Sequence, residues 1–401
     1  MLDQLLVLQV RRRLEASGLP LVVELWNGEL MGAVAGASVR LRLHRPTSLK
    51  AMADPSLGTL ARAYVEGHLD LEGNVRDILS LGDRLCNASC SAPKTGSDGW
   101  KWWRHTRSKD RRNIQYHYDV SNDFYGLWLD ARRVYSCAYF KTPDMSLDDA
   151  QVAKLDHICR KLELKPDEQF LDIGCGWGGL ILHAAEHCGV RAVGITLSDD
   201  QHDYVSQLVE ARGLVGRVEV RKMDYRDVPE HGGYDKIASV GMFEHVGRQN
   251  LATYFDKINA LLKPGGLVLN HGITTSEPEA SGLGSGISEF IEDYVFPGGE
   301  LVHASDVLRA AASSGLECLD AENLRPHYGK TLWHWVTRLE AQADKARSMI
   351  GEQKYRIWRI YMAGSAHAFD RGWMEVWQVL AGKGVSGGQP NYPFSREYQY
   401  R

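Results

Sequence analysis

The residues best suited to chemistry begin with an apolar run that ends in closely spaced glycines, Phe170-Leu171-Asp172-Ile173-Gly174-Cys175-Gly176-Trp177-Gly178-Gly179. Glycines let the backbone turn sharply and approach a ligand, and the free N–H groups of a following helix favour a polar partner. Gly174, Gly176 and Gly179 satisfy G-x-G-x-x-G, so the loop by itself suits a nicotinamide dinucleotide or S-adenosylmethionine. Further along, Glu244 follows a strand-like run, which offers a carboxyl for proton transfer. Glu244 and His245 do not form H-E-x-x-H, which argues against a zinc hydrolase. Cys137 invites a nucleophile reading, but a backbone role suits it better.

The two cofactors separate at the second strand. A dinucleotide site wants an acid about 20 positions after the glycines to hold the ribose, whereas this strand ends Gly194-Ile195-Thr196-Leu197-Ser198. Three features favour S-adenosylmethionine: Asp172 ahead of the loop, facing a cationic aminoacyl end; the Lys222-Met223-Asp224-Tyr225 corner; and Leu261-Leu262-Lys263-Pro264-Gly265-Gly266 before a strand. Together they resemble class I methyltransferases.

The elements that must position these groups alternate regularly from about residue 150. An amphipathic helix through 155–162 precedes the strand into Gly174, and a helix over 180–186 follows it. Strands at 192–197, 218–221, 235–240 and 267–270, with a helix near 204–211, imply a mainly parallel α/β sheet covered by helices on both faces. Ligands then belong at the carboxyl ends of the strands. Residues 1–90 mix alternating runs at 21–26 and 38–43 with helical periodicity at 57–65 and 78–85, which predicts a small α+β domain. Linker composition follows, placed at 91–103, and the catalytic domain is expected over 104–401. The stretch 337–382 reads as helix-rich and aromatic.

Five further segments narrow the resemblance: Gln115-Tyr116-His117-Tyr118-Asp119-Val120-Ser121-Asn122-Asp123-Phe124-Tyr125, Tyr135-Ser136-Cys137-Ala138-Tyr139-Phe140, the strand end at Gly194–Ser198, Gly241-Met242-Phe243-Glu244-His245-Val246-Gly247, and Tyr294-Val295-Phe296-Pro297-Gly298-Gly299. They resemble the cyclopropane-fatty-acid synthase family. Ala63-Tyr64-Val65-Glu66-Gly67-His68-Leu69-Asp70-Leu71 is similar to the extra domain of the bacterial phospholipid-modifying members. The resemblance implies a class I methyltransferase (Rossmann-like) doubly wound sheet with a helical cover, and a smaller N-terminal domain associated with lipid. It also implies methyl transfer from S-adenosylmethionine to the cis double bond of a phospholipid acyl chain, then ring closure after a bound bicarbonate takes a proton.

Carried over residue by residue, the resemblance assigns bicarbonate to Cys137, Glu244, His271, Ile273 and Tyr328. It assigns the aminoacyl end of the donor to Tyr135, Ser136, Gly174 and Gly176. Thr196, Leu197 and Gln201 fall near the ribose, and Asp224 and Tyr225 on the adenine side. No metal is implied. Two positions depart from the pattern: Phe140 stands where Trp is usual, and His271-Gly272-Ile273 replaces His-Thr-Ile. A carbocation on the acyl chain needs aromatic faces rather than a nucleophile, and Tyr116, Tyr118, Tyr139, Tyr294, Phe296 and Tyr328 are candidates.

Composition bounds the remaining classes. With 401 residues, 44% hydrophobic content and a formal charge of −4, the chain can bury a sizeable core and does not suit general nucleic-acid binding. Seven scattered cysteines predict free thiols, and Cys86 and Cys90 lack a second pair at zinc spacing. No run reaches the roughly 18 apolar residues of a spanning helix, nor does a basic leader precede an apolar stretch, so a cytoplasmic location is expected. Trp100, Trp102 and Trp103 among Lys101, Arg104, Arg107, Lys109, Arg111 and Arg112 suit docking on the inner face of an anionic membrane. A homodimer is a family expectation. The competing readings are methyl transfer that ends in a methyl-branched or methylene product, a silent lipid-binding protein, and a small-molecule methyltransferase.

Overall fold

The computed structural model describes residues 2–33, 35–87, 121–230, 233–278, 286–295, 300–385, 388 and 392–400. Tyr116, Tyr118, Phe296, the linker 91–103 and the tryptophan and basic residues of 100–112 lie outside the described residues. The chain packs into two compact units, one of residues 1–100, 282–297 and 339–368, the other of 101–281, 298–338 and 369–401.

In the first unit, β1 (Leu21–Glu24), β2 (Leu30–Gly32), β3 (Val39–Leu43) and β4 (Leu69–Gly73) form a sheet in the order β2-β1-β3-β4. Alternation sets its two faces. Val39, Leu41 and Leu43 are buried, while Arg40 and Arg42 of the same strand reach Glu24 at 3.2 and 3.4 Å. The helix Leu57–Val65 starts at a capping box in which Ser56 and Thr59 satisfy each other's backbone N–H groups. Two later segments join this unit: the helix Ile287–Tyr294 and most of the helix Ala343–Arg371, which breaks at Gly351 with φ 81°. Arg356 donates to the Tyr64 carbonyl at 3.0 Å and Arg359 to its hydroxyl at 3.1 Å. Long-range ties of this kind explain why the unit is not the contiguous 1–90 expected from composition.

The second unit is built on β5 (Gln169–Ile173), β6 (Arg191–Thr196), β7 (Val218–Lys222), β8 (Tyr234–Val240), β9 (Leu262–Thr275), β10 (Val302–His303), β11 (Leu316–Asn323) and β12 (Met374–Lys383). The main order is β7-β6-β5-β8-β9-β12-β11, with β10 beside β9. From β7 to β9 every pair is parallel. The chain winds outward from β5 first through β6 and β7 and then through β8 and β9, so its direction reverses between β5 and β8. A ligand crevice opens at such a point. Phe170, Leu171 and Ile173 of β5 are buried, as expected of a strand covered on both faces, each contributing roughly 1.5–3 kcal/mol.

One edge departs from the sequence expectation. Residues 374–383, which begin inside the stretch read as helix-rich and end one residue past it, form β12, which pairs antiparallel with β9 and with β11. Its two backbone edges pair with strands that are distant in sequence. A local periodicity reading does not reveal that partnership.

Candidate active site

β5 runs directly into the glycine loop. Gly174 (φ 86°) and Gly176 (φ 54°) take left-handed conformations that a Cβ would oppose. The N–H groups of Gly174 and Cys175 both donate to the Ile195 carbonyl at 3.0 Å, which fixes the loop against β6. Two adjoining cavities open beside it and share Gly174, Gly176, Gln201 and Gly241. The first, of about 800 Å³, is lined by Thr196, Leu197, Asp224 and Tyr225 together with Ile173, Ile195, Met223 and Met242. The second, of about 560 Å³, is lined by Tyr135, Ser136, Lys154 and Asp172. All nine expected cofactor residues therefore line this pair of cavities.

The two ends differ in chemistry. Apolar walls at the first suit a flat base. Thr196 Oγ1 donates to Gln201 Oε1 at 2.7 Å, and Ser198 caps the helix Asp199–Ala211 by accepting from the Gln201 N–H at 3.3 Å. Asp224 is held by Arg226 at 2.6 and 2.8 Å, and the Tyr225 ring meets Tyr254 edge-on at 5.5 Å. At the second end Lys154 Nζ donates to Ser136 Oγ at 2.7 Å. Burial lowers the Lys154 ammonium to about 8, against the pull of Cys137, Asp130 and Asp172. Burial likewise raises Asp172 to about 7, opposed by Lys154, and Asp172 Oδ1 has no hydrogen-bond partner among the described residues. A buried cation beside a buried carboxyl suits a zwitterionic aminoacyl group. Sequence reasoning missed Lys154 because, on the helix Leu147–Lys161, it reads as an ordinary charged position.

Glu244 sits in a short 3-10 turn, Phe243–His245, immediately after β8. Its Oε1 accepts the Ile273 N–H at 2.7 Å, so the backbone group expected to face an anion is instead spent on Glu244. The other oxygen, Oε2, is buried without a partner among the described residues, and burial raises the carboxyl to about 7. His271 on β9 lies opposite Gln378 on β12. The Gln378 amide nitrogen is 3.1 Å from His271 Nδ1, which makes Nδ1 the acceptor and leaves the ring proton on Nε2. That Nε2 is buried and has no partner among the described residues. Burial, reinforced by the Lys154 and Lys161 charges, pushes the imidazole well below its ordinary value, so it is neutral.

Gly272 between His271 and Ile273 now has a physical reason. A Cβ there would fall 2.0 Å from Phe243 Cε1 and 3.1 Å from Glu244 Oε1. The absent side chain admits the Phe243 ring and so seats the turn that carries Glu244.

Cys137 is fully buried, and burial pushes its thiol up, which leaves it protonated and a poor nucleophile. Its segment is tied to the next element by the Ala138 N–H, which donates to Thr331 Oγ1 at 3.0 Å. Tyr328 lies on the helix Arg325–Ala341, its ring 4.8 Å from Phe369 and edge-on to Trp335 at 6.0 Å. Trp335 also meets Tyr135 at 5.3 Å, so one indole joins the Tyr328 helix to the cofactor segment.

The aromatic candidates divide. Both faces of Tyr139 are covered, by His157 at 4.4 Å and His327 at 4.8 Å, so it has no open face for a cation. Tyr294 belongs to the first unit, where its hydroxyl donates to Glu66 at 3.0 Å. The cluster around Tyr135 is formed instead by Tyr125, Trp128 and Trp335. Trp128 and Trp335 stand far apart in the chain, and no motif marked them.

A family model for mycolic acid cyclopropane synthetase matches residues 105–379, and a model for a domain of unknown function matches residues 14–87. Over 395 residues the chain is 44% identical to a probable fatty acid methyltransferase of Pseudomonas putida, covering 98% of this chain and 99% of that protein. It is 37% identical over 272 residues to the cyclopropane-fatty-acyl-phospholipid synthase of Escherichia coli K12, covering 68% of each. Among solved structures, a mycolic acid cyclopropane synthase complexed with SAH and CTAB aligns with a TM-score of 0.65 at 36% identity, covering 68% of this chain and 98% of that one.

Proposed function

The chain belongs to the mycolic acid cyclopropane synthetase family, and from that premise we propose that it moves a methyl group from S-adenosylmethionine to the cis double bond of a phospholipid acyl chain and closes a cyclopropane ring. Methyl transfer to fatty acyl chains is the activity common to its relatives. A neighbour solved with SAH supports the donor. The phospholipid and the ring are the finer reading, supported by the resemblance to the Escherichia coli synthase.

The observation that carries this reading is the pair of orphaned polar atoms, Glu244 Oε2 and His271 Nε2. An unpaired buried polar group costs about 1–3 kcal/mol, so each needs a partner. We propose that a bicarbonate ion serves both, accepting from the His271 N–H and donating its own O–H to Glu244. Cys137 and Tyr328 are its further expected contacts, while Ile273 contributes by orienting Glu244. When bound, the ion supplies a base for the proton released from the transferred methyl group. Glu244, raised to about 7 by burial, can share that proton near neutral pH.

The other residues orient and exclude water. The glycine loop, Ser136 and Lys154 hold the donor, and the Tyr135, Trp128 and Trp335 rings keep the reacting centre dry. The Cys137 thiol, kept protonated by burial, offers no thiolate to trap the cation. A second reading, a methyl-branched or methylene product, is favoured by the 44% identity to a fatty acid methyltransferase. Incubation with S-adenosylmethionine and monounsaturated phospholipid vesicles, followed by mass spectrometry and NMR of the acyl chains, separates them. Ring protons support the first reading and a branch methyl the second; unchanged lipid rejects both.

Among the described residues no helix is long and apolar enough to cross a membrane. We propose that the protein works as a homodimer docked on the inner membrane face through the tryptophans and basic residues of 100–112. Anionic vesicles should then sediment it at low salt and release it at high salt.

A further inference from the structure

The turn that leads into Tyr135 and Ser136 carries Arg133, which lines the second cavity of the site together with Lys154, Asp172, Gly174 and Gln201. Its Nη1 is buried without a hydrogen-bond partner, and no carboxylate pairs with its guanidinium among the described residues. A buried charged donor left in that state is costly. The Tyr204 ring lies 4.5 Å from Cζ, a contact that anchors the cation but supplies no acceptor for Nη1. The backbone is arranged to put the cation here. Arg133 has φ 54°, in the left-handed region that residues with a side chain rarely take. Asp130 imposes it: one carboxyl oxygen accepts the Arg132 N–H at 2.9 Å, the other accepts the Val134 N–H at 2.8 Å, and the Arg133 N–H donates to the Asp130 carbonyl at 2.9 Å. Glycine would adopt this backbone without strain, yet an arginine stands there. The turn lies against the donor loop, since a Cβ at Gly179, the first residue of the helix after the loop, would fall 2.8 Å from Val134 Cγ2.

We propose that Arg133 is a further donor-binding residue, whose guanidinium holds the carboxylate at the aminoacyl end of S-adenosylmethionine. The inference rests on the S-adenosylmethionine reading of these cavities. That donor carries two positive groups, the sulfonium and the ammonium, and a single negative one, the carboxylate. Asp172 on the same wall suits the ammonium. The carboxylate is matched by the planar fork of Arg133, which can meet two oxygens with two N–H groups, whereas the Lys154 ammonium already donates to Ser136. The contact lies at the end of the donor away from the transferred methyl, so it secures the donor and does not take part in the transfer itself.

The test is calorimetry at pH 7 on the full chain with two probes that differ only in the carboxylate, S-adenosylhomocysteine and its decarboxylated analogue. The parent should bind the first about 10- to 100-fold more tightly than the second. Arg133→Gly keeps the left-handed turn and should weaken S-adenosylhomocysteine by a similar factor while leaving the analogue little changed, so that the discrimination collapses. Arg133→Lys keeps the charge without the fork and should retain part of it. Melting curves accompany each variant, and Arg133→Gly should melt at or above the temperature of the parent, because glycine relieves the left-handed backbone. An Arg133→Gly chain that still discriminates by the parent's factor overturns the proposal. So does one that loses both ligands equally or melts well below the parent, since either marks a purely structural residue. A parent that binds both ligands with equal affinity rejects the carboxylate contact alone, whereas a parent that binds neither rejects the donor reading and this inference with it.

Discussion

Gln378 on β12 stands opposite His271 on β9, with its amide nitrogen 3.1 Å from His271 Nδ1. This contact sets the tautomer that keeps the ring proton on Nε2. Gln378→Glu replaces the donor by an acceptor and should move the ring proton to Nδ1. Turnover should fall roughly tenfold or more, as when an orienting partner of a functional histidine is lost. Nitrogen NMR of the labelled imidazole reports the tautomer directly. An unchanged tautomer together with unchanged turnover would show that Gln378 has no positioning role.

Glu244 combines a functional and a stability consequence. Its carboxyl is raised from 4.5 to about 7 by burial, so the folded chain keeps this proton at pH values where the unfolded chain has released it. Stability is therefore undiminished below 4.5 and falls as pH rises from 4.5 to about 7. Glu244→Gln removes the titration and can keep the hydrogen bond to the Ile273 N–H. The variant should lose most turnover, yet gain roughly 3 kcal/mol over the parent at pH 8 relative to pH 4. Urea unfolding at the two pH values measures the difference. Full turnover, or equal stability differences at both, contradicts the role given to this carboxyl.

The difference between what the sequence revealed and what it hid follows from distance along the chain. Gly174, Gly176, Thr196, Asp224 and Glu244 sit at the ends of strands, where the pattern of β-strand, turn and helix marks the carboxyl edge of a parallel sheet. Gln378 and Trp335 reach the site from elements separated from it by long stretches of chain, and their types alone are ordinary. Tyr139 failed as a cation partner for the same reason. His157 and His327, which cover its faces, come from two different helices that only tertiary packing brings together.

Lys154 provides a third prediction. Its ammonium donates to Ser136 at 2.7 Å and acts on Asp172 through space. Lys154→Met leaves Asp172 buried without its counter-charge, which pushes that carboxyl further above the usual range. Binding of S-adenosylhomocysteine by calorimetry at pH 7 should weaken about tenfold. Adding Asp172→Asn should cost much less in this background than in the parent, since the two groups act as a pair. Strict additivity of the two substitutions would separate them.

Gly272 offers the most local test, because the geometry says why a glycine stands there. A Cβ at this position would lie 2.0 Å from Phe243 Cε1, closer than any side chain tolerates. Gly272→Thr must therefore displace the Phe243 ring and, with it, the turn that holds Glu244 against the Ile273 N–H. The cost should be about 1–3 kcal/mol in stability, typical of overpacking, with a larger loss in turnover than in donor affinity. Phe243→Leu in the same chain vacates the space and should restore part of both. Rescue of stability without rescue of turnover would mean that Phe243 itself shapes the site; a fully active Gly272→Thr single variant would mean that the turn accommodates the side chain without moving Glu244.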